Sequence, residues 1–272
     1  MVKFAVNHMT VAGAPFEGLL EIASTLHAEG IELRNDLSGP LFDGLDAEQA
    51  GALVRARGLK IFALAEVKEF NDWSAGKARE AGELMQIAAA CGAQAISLIP
   101  RNNGVGTEAA RRRSDLRAAL QGLRPMLEQY GLIGLIEPLG FQTSSLRFKA
   151  DIVDEIDALG AANCFKLVHD TFHHVLAGEV AYFPAHTGII HISGVVDPDL
   201  PPELMQDDDR VLVDSRDRLQ NIDQIRHLVD WGFDGPISFE AFSKDVQKVS
   251  DPVAALSRSI RFIESDLTAK AA

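Results

Sequence analysis

The chain is 272 residues long, 47% apolar, and carries a formal net charge of -13 at pH 7. That length and apolar content suit one large core. The acidic balance argues against nucleic acid as a partner, since the lone basic run, Arg111-Arg112-Arg113, reads as a solvated helix start.

The two cysteines, Cys91 and Cys164, follow no metal or redox spacing, as expected in a reducing compartment. The first residues, Met1-Val2-Lys3-Phe4-Ala5-Val6-Asn7, lack the apolar stretch of a signal peptide. No apolar run reaches the length of a membrane span. These features predict a cytoplasmic protein with no membrane partner.

In chain order, strands are predicted near Lys3–Val6, Gly30–Leu33, Lys60–Leu64 and Ala95–Ile99. The loop after the first, Asn7-His8-Met9-Thr10-Val11-Ala12-Gly13, lacks the glycine pattern of a dinucleotide site, which disfavours a doubly wound open sheet. Ahead of the fourth strand, Ala81, Leu84, Ala88 and Cys91 share a helix face, and Gly92 stands where a helix-ending glycine belongs. Gly104-Val105-Gly106 is too short for a phosphate fingerprint and reads as a turn.

Four further strands follow, each an apolar run ending in a potential metal ligand. They are Leu132-Ile133-Gly134-Leu135-Ile136-Glu137, Phe165-Lys166-Leu167-Val168-His169-Asp170, Gly188-Ile189-Ile190-His191 and Pro236-Ile237-Ser238-Phe239-Glu240. Near-continuous apolar runs of this kind mark buried parallel strands. Between the last two, Asn221 is expected to cap a helix carrying Ile222, Ile225 and Leu228. Asp251-Pro252 opens the final helix, with Val253, Leu256, Ile260 and Ile263 as its buried stripe. Eight strands alternating with helices, without a Pro/Ser-rich linker, predict an α/β chain folded as a single (β/α)8 TIM barrel over residues 1–272.

One connection stands apart. Ser193 to Gln220 carries Pro198, Pro201, Pro202 and Asp207-Asp208-Asp209 without clear periodicity. A loop this long after the His191 strand belongs at the barrel mouth and suits a lid.

Side chains at the C-terminal ends of barrel strands converge on that mouth, so Glu137, Asp170, His191 and Glu240 are expected to hold one divalent cation. Four clustered polar groups would be costly to bury unpaired. Three carboxylates and one imidazole suit Mn2+, Mg2+, Co2+ or Zn2+. His173, three residues past Asp170, can turn back over the mouth to touch a substrate oxygen. Arg210 can reach substrate from the long loop or pair with Asp207–Asp209. His169 should face away from the mouth by strand alternation. His174 is open, and His8 is read equally well as a pocket or a loop residue. Arg34 and Glu66 are further mouth candidates, and Phe70 and Trp73 read as packing. His27, His186 and His227 carry no signal.

On these residues the chain resembles the xylose-isomerase-like barrel superfamily of sugar isomerases and epimerases, and within it the 2-keto-myo-inositol isomerases (inosose isomerases). The segments that carry the resemblance are Ile31-Glu32-Leu33-Arg34, Phe70-Asn71, Glu137 in its apolar strand, Asp170-Thr171-Phe172-His173, His191-Ile192-Ser193, Asp209-Arg210-Val211 and Ser238-Phe239-Glu240. The resemblance implies metal binding by Glu137, Asp170, His191 and Glu240, and substrate contacts from His173 and Arg210. It also implies that Glu137 and Glu240 form the acid–base pair, that Mn2+ is the first choice of cation, and that the chain self-associates as a homo-oligomer. The chain departs from the pattern after Arg210, where Val213-Asp214-Ser215-Arg216-Asp217 replaces a Gly-x-Gly turn.

The expected chemistry is isomerisation or epimerisation of an α-hydroxy ketone sugar or cyclitol through an enediolate, with no organic cofactor. A ketose 3-epimerase and a hydroxypyruvate-isomerase-like enzyme are the neighbouring alternatives. Apurinic-site endonucleases of the same superfamily need additional histidines on the earlier strands. Here the third and fourth strands end in Ala65-Glu66 and Ile99-Pro100. A non-catalytic sugar-binding barrel is disfavoured by the presence of both glutamates beside Asp170 and His191.

Overall fold

The computed structural model describes residues 2–269. Eight strands, β1 (Phe4–Asn7), β2 (Gly30–Arg34), β3 (Lys60–Val67), β4 (Ala95–Leu98), β5 (Ile133–Ile136), β6 (Phe165–Asp170), β7 (Thr187–Ile192) and β8 (Ile237–Phe239), pair in parallel and in sequence order. β8 returns to β1, closing the barrel. The architecture is the expected (β/α)8 barrel. All eight predicted strands form, with small shifts: β1 takes in Asn7, and β3 runs on to Val67.

Helices α1 (Phe16–Thr25), α2 (Ala47–Ala56), α3 (Ala75–Cys91), α4 (Ala109–Tyr130), α5 (Lys149–Ala158), α6 (Thr171–Ala177), α7 (Asn221–Asp230), α8 (Lys244–Gln247) and α9 (Pro252–Ala269) surround the strands. Their ends follow local chemistry. Ser74 accepts a hydrogen bond from Lys77 N at the start of α3, and Gly92 closes that helix at φ 80°, a conformation open to glycine without strain. Asp251 Oδ1 accepts from Ala254 N at 2.9 Å and caps α9, whose Leu256 and Ile263 are buried. Asn221 is not the cap predicted for α7. It is the first helical residue, and Gln220 precedes it at φ 57°. Asn221 instead donates through Nδ2 to Ser193 O at 2.7 Å, while Asp217 Oδ2 accepts from its backbone N at 2.9 Å. A neighbour four residues upstream thus satisfies one of the free N–H groups at the helix start.

Alternation along the strands sorts the core into two parts. One set of side chains faces the helices and joins the main apolar cluster. Ala63, Ala95, Leu135, Val168 and Ile189, from β3 to β7, form a separate small apolar cluster inside the barrel. Two residues further along three of these strands stand Glu137, Asp170 and His191. The barrel interior is therefore apolar below and ionisable at the C-terminal end. Helix packing is close where glycine permits it: a Cβ on Gly51 of α2 would lie 2.1 Å from Cys91 O at the end of α3. Gly51→Ala is expected to lower stability by about 1–3 kcal/mol through forced separation of these helices. The check is the thermal midpoint, and an unchanged midpoint would show that α2 shifts freely.

Among the described residues, no helix is long and apolar enough to cross a membrane.

Candidate metal centre at the barrel mouth

Glu137 follows β5, Asp170 ends β6, His191 lies in β7 and Glu240 follows β8. One ligand atom from each lies within 4.8 Å of the others, and all four residues are buried. Four adjacent strand ends of a closed sheet bring the side chains together without help from loops.

The donor set fits a cation. His191 Nε2 donates to Glu32 Oε2 at 3.0 Å, so its other nitrogen is left to face the cluster. That Nδ1 is buried without a hydrogen-bond partner, 3.1 Å from Glu240 Oε2 and 3.8 Å from Glu137 Oε1. A buried imidazole nitrogen aimed at carboxylates, with no bond of its own, is what a cation between them would satisfy. Three carboxylates and one imidazole suit a hard or borderline divalent ion.

Electrostatics separate the two glutamates. Glu240 is held on both oxygens: Oε1 accepts from Asn7 Nδ2 at 3.1 Å and Arg34 Nη1 at 3.0 Å, and Oε2 accepts from Arg210 Nη2 at 3.0 Å. Burial works against its charge, but His191, Arg210 and Arg34 outweigh burial and keep the carboxyl well below the usual range. Glu137 has no such support. The nearest basic nitrogens are His191 Nδ1 at 3.8 Å and His173 Nε2 at 3.9 Å. Burial, followed by repulsion from Glu240, pushes its carboxyl up to about 7. Burial opposes charge on His191 too, yet Glu240 and Glu32 raise that ring well above its ordinary value. A dication in the cluster would take the place of that proton.

Arg210 comes from the long loop and is buried, at 1% exposure. Its Nη2 donates to Asp170 Oδ2 at 2.5 Å as well as to Glu240, Nε donates to Ser193 Oγ at 3.0 Å, and Nη1 donates to Asp207 Oδ1 at 3.2 Å. The guanidinium lies at the mouth and pairs with Asp207 of the acidic run, the second of the two expectations for this residue. Asp214 and Arg216, which stand where a Gly-x-Gly turn was expected, pair with each other at the surface. The loop is held by an antiparallel bridge, Gly194 to Val211, and by Val195, Met205 and Leu219 packing on Phe172. Phe242 and Phe172 lie against the Arg210 guanidinium, 4.5 and 5.1 Å from ring centroid to Cζ.

His173 is buried beside Glu137 with its Nδ1 unpartnered, and burial pushes its pKa down, leaving a neutral ring. Arg34 joins the mouth, bridging Glu240 to Asp36 and Glu66. His169 faces away, bonded to Gln224 at 2.8 Å. His174 accepts from Lys149 Nζ at 2.8 Å, and burial with Lys149 drives it down to about 3. His8 bonds Ala14 O within its own loop. Phe70 is buried, and Trp73 lies against Gly122 of α4, so both are packing residues. Glu32, Asn7 and Phe242 went unnoticed as site residues. The signal for Glu32 was available: two charges at alternate positions, Glu32 and Arg34, in an otherwise apolar strand.

A family model described as the xylose isomerase-like TIM barrel matches residues 20–266. The chain belongs to that family. No curated protein matches it. Among solved structures, this xylose isomerase-like barrel is similar to a xylose isomerase domain containing protein from Salmonella typhimurium, with 28% identity over 98% of this chain and 97% of the other, and a TM-score of 0.87. It is similar in fold to the IOLI protein, solved with a zinc atom bound, at 18% identity, 99% coverage of both chains and a TM-score of 0.86. The fold is also shared with D-allulose 3-epimerase from Methylomonas sp. in complex with D-allulose, at 14% identity, 98% and 95% coverage and a TM-score of 0.67. These likenesses reach the superfamily and single out no inosose isomerase. Family membership and the four-residue cluster together support a metal-dependent isomerase or epimerase in general terms.

Proposed function

We propose that this protein is a divalent-metal-dependent isomerase or epimerase of an α-hydroxy ketone sugar or cyclitol, with an inosose as first substrate and a ketose as second. The observation that carries the reading is the buried cluster of Glu137, Asp170, His191 and Glu240 at the barrel mouth, in which the unpartnered His191 Nδ1 faces the carboxylates of Glu240 and Glu137. Glu137, Asp170, His191 and Glu240 would hold the cation, with Mn2+ the first choice and zinc, seen in the IOLI structure, a close alternative. Bound there, it would supply positive charge to draw electrons from the carbonyl and hydroxyl oxygens of the substrate.

The chain's own residues do the rest. In an α-hydroxy ketone the C–H bond beside the carbonyl breaks, its electron pair enters the enediolate, and the proton passes to a carboxylate. A proton then returns to a neighbouring carbon in isomerisation, or to the opposite face of the same carbon in epimerisation. Glu137, which no guanidinium holds on either oxygen, is the less constrained carboxylate of the pair and the first candidate for the proton exchange. Glu240, flanked by Arg34 and Arg210, is the second carboxylate of the pair. His173, neutral and partly unpartnered, is placed to hydrogen-bond a substrate oxygen, and Arg210 supplies fixed positive charge. The packed loop around Arg210 excludes water from the reactive enediolate.

The deciding experiment is incubation with inososes and ketohexoses in D2O with Mn2+. Deuterium should enter carbon, at one position for an epimerase or at the carbon receiving hydrogen for an isomerase. No carbon-bound deuterium with any of these substrates would remove the reading and leave a binding protein.

A further inference from the structure

The least expected charge at the mouth is Glu32, on the far side of the barrel from the residue it holds. It lies on β2, is 1% exposed, and reaches His191 on β7 with Oε2 at 3.0 Å from Nε2. Its other oxygen accepts from Asn7 Nδ2 at 3.4 Å, and the same Nδ2 donates to Glu240 Oε1 at 3.1 Å. Asn7 Oδ1 is committed to Met9 N at 3.0 Å, so the amide can turn only its NH2 toward the two glutamates. Asn7 is the register partner of Glu32 on the adjacent strand. The result is a chain of hydrogen bonds, His191–Glu32–Asn7–Glu240, linking two members of the cluster through residues that are not members themselves.

We infer that Glu32 is a positioning residue for the metal centre: it fixes His191 with its proton on Nε2 and its Nδ1 lone pair aimed at the cation, while Asn7 ties this pair to Glu240. The inference rests on the cluster holding a cation. The physical reason is that an imidazole has two ring nitrogens, and the partner of one decides what the other can do. Without a carboxylate behind Nε2, the ring is free to rotate or to carry its proton on the ligating nitrogen. Asn7 also places a donor between Glu32 and Glu240, two anions that would otherwise face each other directly in a buried space.

Two substitutions grade the effect. Glu32→Gln keeps an acceptor for Nε2–H and loses the charge, whereas Glu32→Leu removes both. Mn2+ and Zn2+ affinity, measured by calorimetry on protein of confirmed fold, should fall about 10-fold in the first and about 100-fold in the second. If Glu32→Leu fails to fold, Glu32→Gln alone carries the comparison. Independently of activity, proton–nitrogen correlation spectra of the zinc-loaded wild-type protein should show the His191 ring proton on Nε2. Metal affinity within twofold of wild type in the folded variants, or a ring proton on Nδ1, would overturn the role of Glu32 alone. A wild-type protein that takes up neither ion would overturn this inference and the proposed function together.

Discussion

Glu137→Gln should lower kcat about 10²–10⁴-fold while the protein stays folded and binds substrate nearly as well, the loss typical of a removed acid–base group. The amide has the same shape but cannot exchange a proton. Within the protein the substitution disturbs few contacts, because the nearest basic nitrogen is 3.8 Å from the Glu137 carboxylate, but Glu137 is also a proposed ligand, so its turnover is compared at matched metal content. Glu240→Gln should behave differently. Its two oxygens accept from Asn7, Arg34 and Arg210, and an amide NH2 in either place would confront a donor. That variant should lose metal content and stability along with turnover. Metal content and solvent deuterium exchange, measured side by side, separate the two cases. Glu137→Gln with full metal and near-normal exchange would contradict the acid–base role of Glu137.

This difference between the glutamates shows what the sequence could and could not disclose. All four proposed ligands were readable because each ends an apolar strand, and parallel strands in a closed barrel deliver their C-terminal residues to one place. The barrel itself was readable for the same reason, since eight apolar runs alternating with helices admit few other closed arrangements. Strand alternation correctly turned His169 outward, onto Gln224. What could not be read was charge support. Whether Glu240 stands alone or between Arg34 and Arg210 depends on residues 206 and 30 positions away. The inward charge of Glu32 was readable from its strand, but its partner was not, since His191 is 159 residues distant. Asn221 failed for a local reason: Asp217 accepts its backbone N–H and draws it into the first helical position, and its side chain is spent on Ser193 O. The loop after β7 is legible as a mouth element from its length and its place after the His191 strand, but its anchoring by Met205 and Leu219 on Phe172 depends on α6, which no periodicity within the loop reveals.

Arg210→Ala should impair turnover by raising KM, lowering kcat, or both, and its stability effect should depend on whether a cation is present. The guanidinium is buried between Asp170 and Glu240 and is held protonated, above its ordinary value, because those carboxylates outweigh the cost of burial. Removing it from the metal-free protein leaves two buried carboxylates short of positive charge, a change that typically costs about 3–5 kcal/mol. A divalent ion held by Glu137, Asp170, His191 and Glu240 would compensate the same carboxylates, so the metal-loaded variant should lose less. Loss of a neighbouring positive charge also removes repulsion on an incoming cation, so metal affinity should be maintained or raised. The rise in thermal midpoint on adding Mn2+ should therefore be larger in Arg210→Ala than in wild type. An equal drop in midpoint with and without Mn2+ would show that Arg210 acts only in packing the loop through Ser193, Asp207 and Phe172. Unchanged kinetics on the true substrate would lead to the same conclusion, and the loop would then be a fixed wall of the mouth with no part in holding substrate.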